Sequence, residues 1–298
     1  MECCPLKFKK ISGLAILFVC LFSAHCSWFR VKTTSRLKPG EQALPAKSAT
    51  LPELIQLIEQ RSQWIKTLRL TVIYQLTGGS IDTGEISNYR ETDGFILLEK
   101  PALIRLIGQA FKVKVFDMVS DGKEFRIYIP PKMKFIRGLN HQEIKPRKDI
   151  PVNLRPQHIL EALAIEPLAL REGQDFLVLE EEQEGTHKFY VLNIVSDLNK
   201  MTAQLKRKVW IDRFDLSLVR QKYFNPQSQV LSDITYANFE DESGGRYPRL
   251  IDFRRPQENY SLRIKISKAV VNEPLRADQF ELPQPAGTDL IDLTQPTG

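Results

Sequence analysis

The chain has 298 residues, of which 42% are hydrophobic and 26% charged, with a formal net charge of +6. That length and apolar content allow one large core or two smaller ones, while the mild, dispersed positive excess excludes the dense basic face of a nucleic-acid-binding domain. All four cysteines, Cys3, Cys4, Cys20 and Cys26, lie in the first 26 residues. The rest of the chain is therefore no disulfide scaffold and must hold together by ordinary packing.

The N-terminus reads as an export signal over residues 1–25. Lys7, Lys9 and Lys10 outweigh Glu2, and an apolar run follows from Ile11 to Phe22 and Ala24. About 10–14 apolar residues suit a signal core, whereas a membrane-spanning helix needs roughly 20. Without residues 1–25 the chain keeps a net charge of +4. Cys26 is the expected lipidation site, after Phe22-Ser23-Ala24-His25; His25 stands where a small residue is usual, and Phe22-Ser23 replace the usual leucine. A free periplasmic protein and an uncleaved anchor remain the alternatives. Residues 26–49, with Pro39, Gly40, Pro45 and many polar residues, read as a flexible tether.

A helix is predicted over about 50–65. Thr50 and Glu53 have the spacing of a capping box, Pro52 suits the first turn, and Leu51, Leu54, Ile55, Ile58 and Ile65 share one side. The alternation of Leu68, Leu70, Val72, Tyr74 and Leu76 predicts a strand that ends at Gly78-Gly79. Further strands are predicted at about 85–91, 95–99, 103–109, 112–119 and 124–130, with a short run over 134–137. A basic segment, His141 to Lys148, leads to a second helix near 156–164, where Pro156 opens the first turn. Strands are predicted again at 175–181, 188–195, 206–212, 216–224, 229–239, 247–254 and 259–267. Glu180 to Glu184 read as a solvated hairpin turn ending at Gly185. The Pro-rich tail is expected to form no regular structure, and residues 286–298 to be flexible.

Many short strands without alternating helices predict a mainly β fold with helices (α+β). The expected form is a curved antiparallel sheet making an incomplete barrel, covered by two or three helices, over residues 50–285. The search for chemistry finds no catalytic constellation, no metal-ligand spacing among His141, His158 and His187, and no phosphate loop or nucleophile elbow, so no cofactor and no enzymatic activity are expected. His158 reads as a surface or satisfied histidine. Lys132, Met133, Lys134 and Phe135 combine cations with apolar side chains and are candidate membrane contacts. The alternative for them is a solvated strand and loop.

Several segments, in this order, carry a resemblance. They are the helix and strand from Leu51 to Leu76, Arg105 to Gly108, Val115 to Gly122 and Phe125 to Pro130. Val209 to Asp212 leading to Leu218-Val219-Arg220, Tyr247-Pro248, and Asn272 to Leu275 with Phe280 and Pro283 complete the set. Following an export signal, this succession resembles the bacterial LolA/LolB-like lipoprotein-carrier family. The resemblance implies a half-barrel whose concave face binds the acyl chains of lipoproteins or another hydrophobic ligand. It also implies placement in the cell envelope, lipid-anchored at the outer membrane and facing the periplasm, in contact with the membrane surface and with a periplasmic carrier protein as a possible partner. Some members of the family sense envelope stress instead, and a structural or sensing role through a protein partner stays open. Leu70, Val72, Tyr74, Leu106, Ile127, Ile129, Leu192, Tyr260, Leu262 and Ile264 are the expected cavity lining, with plain core as the alternative for each.

Overall fold

The first helix, α1 (Leu51–Trp64), starts where its cap dictates. The backbone N–H and hydroxyl of Thr50 both donate to the Glu53 carboxylate, at 2.6 and 2.8 Å, and these bonds hold the Glu53 carboxyl below its ordinary pKa. Leu54, Ile58 and Ser62 are buried along one side, and Gln56, Gln60 and Gln63 face water. The structure, a computed structural model, describes residues 45–80, 84–141, 155–197 and 202–294. The signal segment, Cys26, the tether as far as residue 44, and residues 142–148 of the basic segment lie outside the described residues.

Among the described residues fifteen strands form one sheet. The first seven are β1 (Thr67–Ser80), β2 (Glu85–Asn88), β3 (Thr92–Glu99), β4 (Leu103–Ala110), β5 (Val113–Ser120), β6 (Glu124–Ile129) and β7 (Lys134–Leu139). After α2 (Pro156–Leu163) come β8 (Asp175–Glu184), β9 (His187–Asp197), β10 (Ala203–Asp212), β11 (Leu218–Phe224), β12 (Val230–Glu242), β13 (Gly245–Arg255), β14 (Tyr260–Val271) and β15 (Asp289–Asp292). Strand β1 lies in the middle, antiparallel to β3 on one side and β14 on the other. From it one limb runs β3 to β7 as a meander, and the other runs from β14 back to β8. β8 ends the sheet on one side and β15 on the other, so the curved sheet stays open, an incomplete barrel as expected.

One face of the sheet, here the inner face, is covered by the helices and carries the core. In β14, Tyr260, Leu262, Ile264 and Ile266 are buried and alternate with exposed Arg263 and Lys265. A bulge opposite Thr71 and Val72 shifts the register, so further along the strand Ala269 and Val271 take over the buried row.

Three boundaries differ from the sequence reading. Strand β1 runs through Gly78-Gly79, because Gly79 adopts a φ of 87° and both glycines pair with Ser87 and Ile86 of β2. Strand β8 continues through the glutamate run to Glu184, since each of Glu180, Glu181 and Glu182 finds a cation or donor on β10 or its following turn. Residues 289–292 form a strand, parallel to β7, where no regular structure is expected.

That C-terminal segment seals the outer face of the first limb. Arg105 makes a bidentate pair with the fully buried Asp117 at 2.9 and 2.8 Å and donates to the carbonyl of Gln279 at 2.8 Å; Lys114 reaches the same carboxylate at 2.6 Å. Val119, Phe135 and Leu282 form a second small core beside it. At the other end of the chain, Lys47 donates its N–H to the Arg213 carbonyl and Ala49 its N–H to the Tyr190 hydroxyl. The stretch from residue 45 to 49, read from sequence as tether, is thus tied to the sheet.

Candidate functional site

Helix α2 is only two turns long, too short to stand without tertiary support. The sheet supplies that support through tyrosine hydroxyls. Tyr236 donates to the carbonyl of Ala162 at 3.0 Å and Tyr247 to that of Leu163 at 3.2 Å, satisfying acceptors that a helix C-terminus leaves open. Tyr260 Oη lies 2.9 Å from His158 Nδ1, so His158 is a buried, satisfied histidine. Burial, then Arg255 and Arg155, keeps it neutral well below its ordinary pKa. Beside it burial raises the Glu161 carboxyl to about 7, with Arg255 opposing the shift.

The chain beyond α2 is pinned in turn. Arg207, on β10, donates to the carbonyls of Glu166 and Pro167 at 3.1–3.3 Å and to Gln221 at 2.5 Å; Gln221 donates to Tyr236 Oη. Lys100 donates to the carbonyls of Ser62 and Ile165, and the Glu59 carboxylate accepts the Leu168 N–H, so α1 and this segment form one cover. Beneath the cover is a small cavity of about 30 Å³ lined by Trp64, Ile65, Leu163, Ile165, Tyr236 and Tyr247.

The expected lining residues occupy this inner face. Leu70, Val72, Tyr74, Leu106, Ile127, Leu192, Tyr260, Leu262 and Ile264 belong to one packed cluster, and Ile129 packs against it. Roomier space lies past the end of α2. A cleft of about 560 Å³ opens beneath residues 166–171, floored by Ile194, Tyr223, Phe224 and Leu231 and roofed by Leu168. Its floor combines residues of β9, β10, β11 and the start of β12, at the open end of the same inner face. The alternation rule pointed to the face and missed the cleft, because two bulges there break the period. Lys206 is extra between Leu205 and Arg207, and Leu231 is extra opposite Tyr223 and Phe224.

The expected membrane contacts separate. Lys132 and Met133 stand at an exposed turn between β6 and β7, and Lys134 begins β7 half-buried. Phe135 is withdrawn from any membrane contact: it is 3% exposed and lies under Leu282 on the outer face. The more prominent apolar tip is the β4–β5 hairpin, where Phe111 is 81% and Val113 66% exposed, with the Arg90 guanidinium 4.8 Å above the Phe111 ring. Phe111 and Lys112 both have positive φ, 51° and 65°, as a two-residue hairpin turn demands. Asn-Gly is the ordinary choice there. A phenylalanine at such a turn is the signal in the sequence that was passed over.

Among the described residues no group of three or more His, Cys, Asp or Glu is placed to hold a metal, and no helix is long and apolar enough to cross a membrane. A family model described as "-like: Uncharacterized protein" matches residues 168–284, from the roof of the cleft through β14 to Gln284. No curated protein matches the chain. Among solved structures, the chain is similar to a DUF1329 family protein from Desulfovibrio piger, at 13% identity and a TM-score of 0.53, over 76% of this chain and 94% of that one. The likeness is one of fold. A LolA superfamily protein from Nitrosomonas europaea aligns at 12% identity over 79% and 99% of the two chains, with a TM-score of 0.47. A candidate outer membrane lipoprotein-sorting domain from Vibrio parahaemolyticus aligns at 15% over 76% and 94%, with a TM-score of 0.49. The architecture implied by the LolA/LolB-like resemblance, an open curved sheet with helices on one face, is the architecture found.

Proposed function

We propose that the protein is a non-enzymatic, lipid-tethered component of the bacterial envelope that binds acyl or other hydrophobic chains at the open end of the sheet's inner face. The observation that carries this reading is the cleft of about 560 Å³ with its apolar floor. Its size falls within the roughly 300–1,000 Å³ usual for small-molecule sites, and each buried CH₂ of a chain contributes about 0.8 kcal/mol. A role in lipoprotein sorting or outer-membrane insertion fits, with lipoprotein acyl chains as the cargo and a periplasmic carrier as partner. Lipid on Cys26 would hold the domain at the outer membrane, facing the periplasm, and the Phe111–Val113 tip would touch the bilayer that supplies or receives the chain.

Two measurements test it. Purified protein should bind an apolar fluorescent probe saturably and release it to a competing dodecyl chain; absence of saturable binding refutes the reading. Intact mass of membrane-extracted protein should show a chain beginning at Cys26 with added acyl mass, lost in Cys26→Ser. An unmodified chain in the soluble fraction refutes the tether.

A second reading, a structural or stress-sensing protein acting through a partner, is favoured by β8. Among the described residues this strand has a neighbour on one side only, and Phe176 and Val178 on it are half exposed. Crosslinking to an envelope protein that Phe176→Lys abolishes, with probe binding intact, would select it.

A further inference from the structure

The cleft is not purely apolar. Arg171, Lys206 and Arg207 line it together with its apolar floor. The bulge in β10 accounts for two of them: with Lys206 left out of the pairing, consecutive cations reach the same space instead of opposite faces. Their charges are incompletely met. Asp175 serves both Arg171 and Lys206, at 3.1 and 3.2 Å, so one carboxylate faces two cations. Arg207 is 5% exposed, and its hydrogen bonds go to the neutral acceptors Gln221, Glu166 O and Pro167 O. Its Nε is buried with no hydrogen-bond partner. The cleft's own lining holds one carboxylate, that of Glu166, on the exposed roof. An orphaned donor on a buried cation costs stability unless something accepts from it, and a buried guanidinium is best matched by an anion.

We infer that the cleft is a binding site for a single-chain anionic amphiphile, a carboxylate or phosphate head on an alkyl chain. The head group accepts hydrogen bonds at Arg171, Lys206 and Arg207, and the chain lies along Leu168, Ile194 and Leu231 toward the inner face. This rests on the hydrophobic-chain reading above and adds to it the charge of the ligand. The two sources of such a ligand, a free fatty acid and a phospholipid-derived phosphate, share this chemistry.

The test measures displacement of an apolar probe from the purified protein, at about pH 8, by laurate, dodecyl phosphate, dodecanol and inorganic phosphate. The expected result is that laurate or dodecyl phosphate binds about tenfold more tightly than dodecanol, that inorganic phosphate displaces nothing, and that raising salt from about 0.05 to 0.5 M narrows the gap. The preference between laurate and dodecyl phosphate identifies the source. Lys206→Gln and Arg171→Gln each remove one partner of the buried Asp175 carboxylate; measured well below each variant's own melting temperature, both should lose most of the preference for laurate over dodecanol. Arg207 is left intact in this test because it also anchors the roof. Equal affinity for laurate and dodecanol overturns the inference and leaves the hydrophobic-chain reading standing, as does a preference that neither variant reduces. Binding of none of the dodecyl compounds overturns both.

Discussion

The two limbs of the sheet are built from the same alternating strands but finished differently. In β3 to β7 both faces are closed. The helices cover the inner face, while the C-terminal segment crosses the outer face on the Arg105–Asp117 pair and the Phe135–Leu282 contact, then adds β15 to the edge. In β8 to β13 the outer edge has no neighbour among the described residues, and the inner face is roofed past α2 by a strap held through side-chain hydrogen bonds to its carbonyls. The difference teaches where a ligand fits. A limb sealed by a buried ion pair and a second core resists opening; one whose cover rests on tyrosine and arginine donors, with the Arg171–Asp175 pair at its exposed end, can part from its floor for a smaller cost.

The comparison breaks most visibly at Asp117. Removing this carboxylate strands Arg105 and Lys114 and undoes the anchor of the C-terminal segment, so Asp117→Ala should cost about 3 kcal/mol in denaturant unfolding. A loss below about 1 kcal/mol would mean the first limb is not sealed as described.

On the second limb the expected effects are smaller and pH-dependent. The Glu161 carboxyl is raised by burial to about 7 in the folded protein, so the protonated form belongs to the fold. Its contribution is fully present below about pH 4.5 and is lost as pH rises through about 7, on the order of 3 kcal/mol in all. His158 acts in the opposite sense, since its lowered pKa withdraws stability as pH falls below about 6.5. Subtracting the pH profile of Glu161→Gln, where His158 is unchanged, isolates the glutamate; a flat difference would contradict the burial of its carboxyl. Tyr247→Phe leaves the Leu163 carbonyl short of a donor and should cost about 1 kcal/mol, with faster amide hydrogen exchange confined to α2 and the strap. Uniformly faster exchange would mean that the Tyr247 bond does not act on α2 locally.

The smallest effect on stability is expected at the hairpin tip. Phe111→Asn suits the left-handed backbone better than phenylalanine and should raise stability by up to about 0.5 kcal/mol while weakening binding to anionic vesicles. Unchanged vesicle binding would remove the tip from the membrane contact.

How much of this could be read from the chain alone follows from where local rules hold. Thr50 and Glu53 gave the start of α1, and Tyr260 to Ile266 gave the buried face of β14, because caps and alternation are local. Strand β15 escaped because Leu290, Ile291 and Leu293 sit among prolines and form a strand only by borrowing the edge of β7. Phe135 was misread as exposed because its cover, Leu282, comes from nearly 150 residues away in the chain. The cations of the cleft were equally hidden, because Arg207 owes its burial to a bulge and to the strap at Glu166, neither of which is a local signal. The buried inner face was legible; the cleft that opens beside it was not.

The most direct test of that opening is methyl NMR of the purified protein during titration with laurate. The account predicts saturable shifts at the methyls of Leu168, Ile194 and Leu231, with those of Ile96, Leu98 and Ile104 on the sealed limb unmoved. Shifts confined to the sealed limb, or none at saturating laurate, would contradict it.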